Sequence, residues 1–478
     1  MKRPAVVLAL LFAGVLAARL CHAGIVWVEE AYPAAAAIQI LHGKAIYRDF
    51  WFDKPPLTAW LYLLWGAKAG VPLRVAGALF LFACCLAAYW FASRLWSRRE
   101  GVVAALLFGF FLTFDFPSAA MALAPDLVTV LPHILAVGLV VWGELQLGRS
   151  FSSAIAGAAV GLAMLANPKA ILLLPICLLW CWRKSPMLLA GFLAATFLGM
   201  LPIVATGALT AYWQQVWQWG SIYSRDTFIQ QPILEGIRRT AAWAGFHATI
   251  VVAAALYVWR QRNSSESHRF VAWAVIAFTG VVLGWRFFPR YYFLLLPPVV
   301  LASARGLTLM RPAVRASVLA LLLIPLIRFG PRYVQLAADA LHGRNSTWPD
   351  LAMSQDSRAA ARAVSSRAHP GDTLLVWGYR PDIFVYTRMP VGAPFLDSQP
   401  LTGVIADRHL TQSRPSTPEL AARERGALVQ HRPAFIVDGL GPYNPALAIT
   451  GYPDLRAWLA GYDEVERTRT SIVYQLRR

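Results

Sequence analysis

The densest set of chemically able side chains lies near the start of the chain. Glu29-Glu30-Ala31-Tyr32 is followed by Tyr47-Arg48-Asp49-Phe50-Trp51-Phe52-Asp53-Lys54-Pro55-Pro56-Leu57. A carboxylate can take a proton from a hydroxyl as a general base. A Lys or Arg can stabilise charge developing on a phosphate leaving group. Pro55-Pro56 stiffens the chain before Leu57 and would hold Lys54 in place. A solvated loop whose charges pair in salt bridges is the plain alternative for the same residues.

Three further segments carry charge between apolar runs. In Ala124-Pro125-Asp126-Leu127, the carboxylate of Asp126 is placed either to act or to cap the helix that follows. In Arg286-Phe287-Phe288-Pro289-Arg290-Tyr291-Tyr292, Arg290 offers a fork of donors suited to phosphate, or an interfacial anchor. Asn167-Pro168-Lys169 is the weakest signal and is also readable as a turn.

These residues need elements to position them, and the hydropathy pattern supplies them. The chain has 478 residues, 58% hydrophobic and 14% charged. Soluble domains are nearer a quarter charged. Up to about residue 330 the sequence is a series of long apolar runs. From about residue 350 it reads as a soluble domain. The expected architecture is an α-helical polytopic membrane protein of about eleven transmembrane helices (1–335), with a small C-terminal α/β domain (350–478). An uncleaved first span is expected after Met1-Lys2-Arg3-Pro4, since the Glu29-Glu30 segment needs an anchor.

Short basic loops at Arg94 to Arg99, Arg149, Arg183-Lys184, Arg260 to Arg269 and Arg305 to Arg315 place those turns in the cytoplasm by the positive-inside rule. The N-terminus is then cytoplasmic. An odd number of spans delivers the C-terminal domain to the extracytoplasmic side of a plasma (inner) membrane. All the candidate residues map to that same face. The first loop on it, 24–70, carries helical patterns over Ala31 to His42 and Leu57 to Lys68 that suit helices lying in the interface. A second loop, Gly207 to Thr240, is rich in Trp and Tyr. In the C-terminal domain, Asp356 to Ala368 and Pro418 to His431 read as helices. Thr373 to Gly378, Ala434 to Asp438 and Thr470 to Leu476 read as strands.

Most of the net charge of +19 lies in the membrane region, scattered between spans. That scatter fits orientation and anionic headgroups and excludes a nucleic-acid surface. The five Cys all lie in or beside apolar segments, with no metal-type spacing.

With these motifs in hand, the sequence resembles the GT-C glycosyltransferases. It is most similar to the family 39-like group, which holds protein O-mannosyltransferases and the lipid A aminoarabinose transferase. The resemblance rests on Leu41-His42-Gly43, the segment Tyr47 to Leu57, Asp126 and Arg290-Tyr291. It implies that Glu29-Glu30 stands where the family has Asp-Glu after the first span. Lys54, with Asp53 beside it, then belongs to the donor-phosphate segment. Asp126 matches a second acidic catalytic position, and Arg290 with Tyr291 a donor-phosphate ligand. Lys169 stands near a position where Lys is common and Asn167 occurs here. Some relatives bind a divalent metal through a His of a later loop. The Gly207 to Thr240 loop has no His, so no cofactor or metal is expected.

The implied activity is inverting transfer of a hexosyl or pentosyl group from a polyprenyl-phosphate sugar donor to a hydroxyl of a lipid, glycan or protein acceptor. Two rivals carry less weight. A transporter or flippase of lipid-linked saccharide would place its polar residues at mid-membrane, often in repeated halves. A non-catalytic glycolipid-binding scaffold would not need the carboxylates.

Overall fold

A computed structural model describes residues 4–145, 150–344 and 346–477. The chain is an α-helical polytopic membrane protein with a small C-terminal sheet. It divides into two compact units. One comprises Met1–Ala23, Arg74–Leu201 and Ile229–Arg344; the other comprises Gly24–Leu73, Pro202–Phe228 and Asn345–Arg478.

The first unit is built from apolar helices. Among the described residues Val71–Leu95, Pro125–Glu144 and the stretch Pro168–Ala205 are long and apolar enough to cross a membrane. Two bent pairs join them, Pro232–Phe246 with Ala248–Arg260 at 92° and Pro312–Ala320 with Leu323–Leu341 at 40°. Pro4–Leu20, Phe151–Met164 and Leu296–Leu309 are shorter apolar helices. A full crossing takes about 20 residues. Against the roughly eleven passes expected from hydropathy, the described residues hold three helices of span length, or up to five if each bent pair is one span.

Pro168–Ala205 is not a single rod. The helix breaks at Cys181, whose φ of −126° and ψ of 35° lie outside the helical region. Gly191 faces Ala154, Gly157 faces Leu188, Gly161 faces Phe192 to Thr196, and Gly199 faces Leu165. Residue numbers broadly rise together along this seam, so Ser150–Met164 and Ser185–Ala205 run parallel. Leu173–Cys181 must be the return pass between them, which gives the two spans that hydropathy suggests. The contact needs glycine: a Cβ on Gly157 would fall 1.8 Å from the Leu188 carbonyl oxygen. Small residues let helix backbones meet where lipid offers no hydrophobic drive. The other face of Ser185–Ala205 exposes Leu193, Phe197 and Leu198 at 62 to 65%, as lipid contact allows.

The second unit joins both aromatic loops to the C-terminal domain. Its sheet has the order β1-β2-β4-β3. β1 (Leu374–Trp377) runs parallel to β2 (Phe435–Asp438). β4 (Ile472–Leu476) lies antiparallel to both β2 and β3 (Tyr462–Arg467). β1 and β2 are wholly buried, which is why both read as unbroken apolar runs. A core of Leu375, Trp377, Phe395, Leu401, Ile436 and Leu455 covers the sheet, and Trp51 of the first loop packs against it.

The loop helices differ slightly from the periodic reading. The first spans Val28–Leu41, three residues earlier than the pattern suggests, because Glu30 Oε1 accepts the Trp27 N–H at 3.0 Å and caps it. The second ends at Leu63 rather than Lys68. Its continuation turns at Gly66 and at Ala67 (φ 49°), where the Arg388 guanidinium bonds both carbonyls.

Candidate active site

In the second unit, the first loop is held by long-range amide contacts. Gln39 donates to the Met389 carbonyl at 3.2 Å and accepts from the Val391 N–H at 2.7 Å. Trp51 N–H donates to Pro394 O at 2.9 Å, and Trp51 pairs in parallel register with Phe395. From the second loop comes Gln215, carried on a π-helical turn, Trp213–Gln218. It accepts from Phe52 N–H at 2.8 Å and donates to Tyr47 O at 2.9 Å. Tyr47 sits at φ 68°, a conformation costly for a bulky residue. Its hydroxyl donates to Lys54 O at 2.8 Å. The strained turn is thus fixed by Gln215 and shapes the backbone at Lys54. Gln215→Ala would leave both backbone groups unpaired in the interior. It should lower stability by about 2 kcal/mol, read as a drop in thermal unfolding temperature in detergent.

The predicted residues of this unit take distinct places. Glu30 is fully buried and occupied as a helix cap, whereas Glu29 beside it is half-buried. Asp53 and Lys54 form a salt bridge of 2.9 Å, with the Asp53 side chain 5% exposed and Lys54 38%. Asp53 N–H also donates to the hydroxyl of buried Tyr32 at 3.3 Å. Tyr32 stacks on Phe52 and leans on Tyr379, with centroids 5.0 and 5.4 Å away. Arg48 pairs with Asp49 at 2.8 Å and holds that carboxyl below its ordinary range.

Asp397 stands against this group, and no sequence pattern announces it. It is 1% exposed, and its Oδ1 accepts the Gln399 N–H at 2.7 Å. Burial first, and then the Asp53 charge, push its carboxyl up to about 7, against a pull downward from Lys54.

In the first unit, Asp126, Lys169, Arg290 and Tyr291 come together. Asn167 Nδ2 donates to Asp126 Oδ1 at 2.9 Å, and Arg290 Nε lies 3.4 Å from Asp126 Oδ2. Asn167 Oδ1 also caps the short 3-10 turn Pro168–Leu172 by accepting the Lys169 N–H at 3.1 Å. That turn aims Lys169 so that its ammonium lies 3.5 Å from the centre of the Tyr291 ring. The ammonium is buried and has no hydrogen-bond acceptor among the described residues. Asn167 is therefore a clamp for Asp126, and the nearby cation comes from two residues further on. Cation–π contact offsets only part of the cost of burying an ammonium. Such a group is suited to an anion.

Among the described residues no three His, Cys, Asp or Glu side chains are grouped to hold a metal ion.

No family model and no curated protein matches the chain. Solved structures do. ArnT from Cupriavidus metallidurans, bound to undecaprenyl phosphate, is 15% identical with a TM-score of 0.59, covering 98% of this chain and 97% of that one. The Archaeoglobus fulgidus oligosaccharyltransferase in complex with Zn and sulfate is 14% identical with a TM-score of 0.52, over 98% and 73%. The same archaeal enzyme, AglB, in complex with an inhibitory peptide and a dolichol-phosphate gives 13% and 0.51, over 98% and 74%. Over nearly its whole length, then, this chain shares its fold with these solved structures.

Proposed function

We propose that this protein is an inverting glycosyltransferase that moves a hexosyl or pentosyl group from a polyprenyl-phosphate donor to an acceptor hydroxyl. The reaction takes place at the extracytoplasmic face of the inner membrane, and the N-terminus is cytoplasmic. The observation that carries this reading is the Lys169 ammonium, buried without an acceptor beside Arg290 and Tyr291. In the second unit, Lys54, exposed on one side of its salt bridge, stands in the segment that the motif resemblance assigns to the donor phosphate. The Glu29 carboxylate takes the acceptor proton. The acceptor oxygen bonds to the anomeric carbon as the carbon–phosphate oxygen bond breaks, and the polyprenyl phosphate leaves with its charge held by the cations. Asp126, tied to Arg290, orients that guanidinium. A groove of ≈ 330 Å³, lined by Val258, Val275, Phe278, Leu295, Pro298 and Ala302, is apolar enough to take part of a polyprenyl tail.

The test is transfer of radiolabelled sugar from a panel of polyprenyl-phosphate donors in membranes holding native acceptors. Wild type should consume one donor, with the rate unchanged by EDTA because cationic side chains carry the charge a metal would. Lys54→Ala should reduce the rate. Donor left untouched by wild type, with lipid binding that survives Lys54→Ala, would point instead to a transporter or scaffold.

A further inference from the structure

The first-loop carboxylate Asp53 and the C-terminal-domain carboxylate Asp397 belong to one interior. Trp51 and Phe395 pair in parallel register. Asp53 and Asp397 each follow this isolated bridge by two residues, close enough for the Asp53 charge to act on Asp397 and for both to act on Tyr32. The chain at Asp397 is fixed from behind, because Ser398 Oγ accepts the Gly378 N–H at 2.8 Å. Each carboxylate keeps one buried oxygen without a hydrogen-bond partner among the described residues, Oδ1 of Asp53 and Oδ2 of Asp397. Buried polar oxygens are rarely left so, and two adjacent carboxylates rarely both ionise. A single proton between them satisfies both conditions.

We propose that Asp53 and Asp397 form a carboxyl pair sharing one proton, and that Asp397 is thereby a positioning residue for phosphate binding by Lys54. The proposal rests on the reading of Lys54 as a phosphate-binding cation. With the shared proton, Asp53, Asp397 and Lys54 sum to zero charge. Without it they carry one net negative charge, which opposes an anionic phosphate. The other groups facing the pair do not replace the proton. Tyr32, from the Val28–Leu41 helix, is buried and stays neutral, its hydroxyl pushed well above its ordinary range by burial. Tyr47, in the first loop, is likewise buried near Asp53, and burial pushes its hydroxyl well above its ordinary range. Gln399 contributes an N–H bond to Asp397. Burial and the Asp53 charge push the Asp397 carboxyl up to about 7. Carboxylates that share a site titrate as a coupled pair.

The experiment uses the full chain in lipid nanodiscs and measures undecaprenyl phosphate affinity from about pH 5.5 to about pH 8.5. The phosphate itself titrates in this range, so the readout is the affinity of Asp397→Asn relative to wild type. That ratio should rise from about one at the acidic end to about tenfold at the alkaline end, since the amide cannot ionise. Asp53→Asn, which places the neutral group on the other partner, reports on whether wild-type Asp397 then loses its raised proton affinity. A ratio that stays constant across pH overturns the proposal. Lys54→Ala separates the two readings: equal affinity to wild type at every pH removes the phosphate reading of Lys54. The pair is then decided by infrared spectroscopy of the unliganded protein. A protonated-carboxyl band at about pH 6, lost in Asp397→Asn and titrating at lower pH in Asp53→Asn, supports it, and its absence from wild type overturns it.

Discussion

Glu29→Gln should lower sugar transfer by about a thousandfold while the protein still folds, because a general base commonly contributes factors of 10² to 10⁴. The amide keeps the size of the carboxylate and cannot take the acceptor proton. Glu30→Gln should behave differently. Gln still offers an oxygen to the Trp27 N–H that Glu30 now caps, so activity should stay within a few-fold of wild type. Glu30→Ala loses that cap and leaves a cavity at a fully buried position, costing about 1 kcal/mol or more. Initial rates at matched expression, with thermal unfolding of each variant, check the assignment. If Glu30→Gln abolishes transfer and Glu29→Gln does not, the roles are reversed.

Lys169→Met should raise the KM for the lipid-linked donor by about a hundredfold, the loss of one charged hydrogen bond to phosphate being worth about 1.5–3 kcal/mol. The same change should not lower stability. Met fills a similar volume, and the buried ammonium it replaces has no acceptor among the described residues to lose. A buried cation held only by an aromatic ring and nearby charge is a cost that packing alone would not select. Donor-dependence kinetics and thermal unfolding on the same preparation test the pair of outcomes. A sharp fall in stability with unchanged KM would make Lys169 a structural residue. Lys169→Arg should recover part of the affinity, since it restores the charge with altered reach.

Much of the architecture is legible in the sequence. Long apolar runs announce membrane helices because crossing hydrocarbon demands them, whatever packs alongside. β1 and β2 were legible for a related reason: both faces are buried, so each is a short apolar run. β3 was not, because Tyr462–Arg467 is an edge strand with mostly exposed, charged residues and so carries no such pattern. The second loop helix read too long because the signal for its end is tertiary: Arg388 captures the carbonyls of Gly66 and Ala67.

The candidate residues divide along the same line. The sequence alone marked Glu29, Glu30, Asp53, Lys54, Asp126, Lys169, Arg290 and Tyr291 as worth attention. Charges among apolar and aromatic neighbours are expensive and therefore conspicuous. It could not say that Glu30 caps the helix, since Glu29 and Glu30 are adjacent and alike. Nor could it find Asp397, Gln215 or the clamp role of Asn167. Gln39 meets Val391 across 352 positions of chain, and Asp397 meets the first loop at comparable remove. Periodicity reports only on neighbours within a few residues. Which distant carboxylate shares an interior, and with what charge, is set by burial, and burial exists only once the chain has folded.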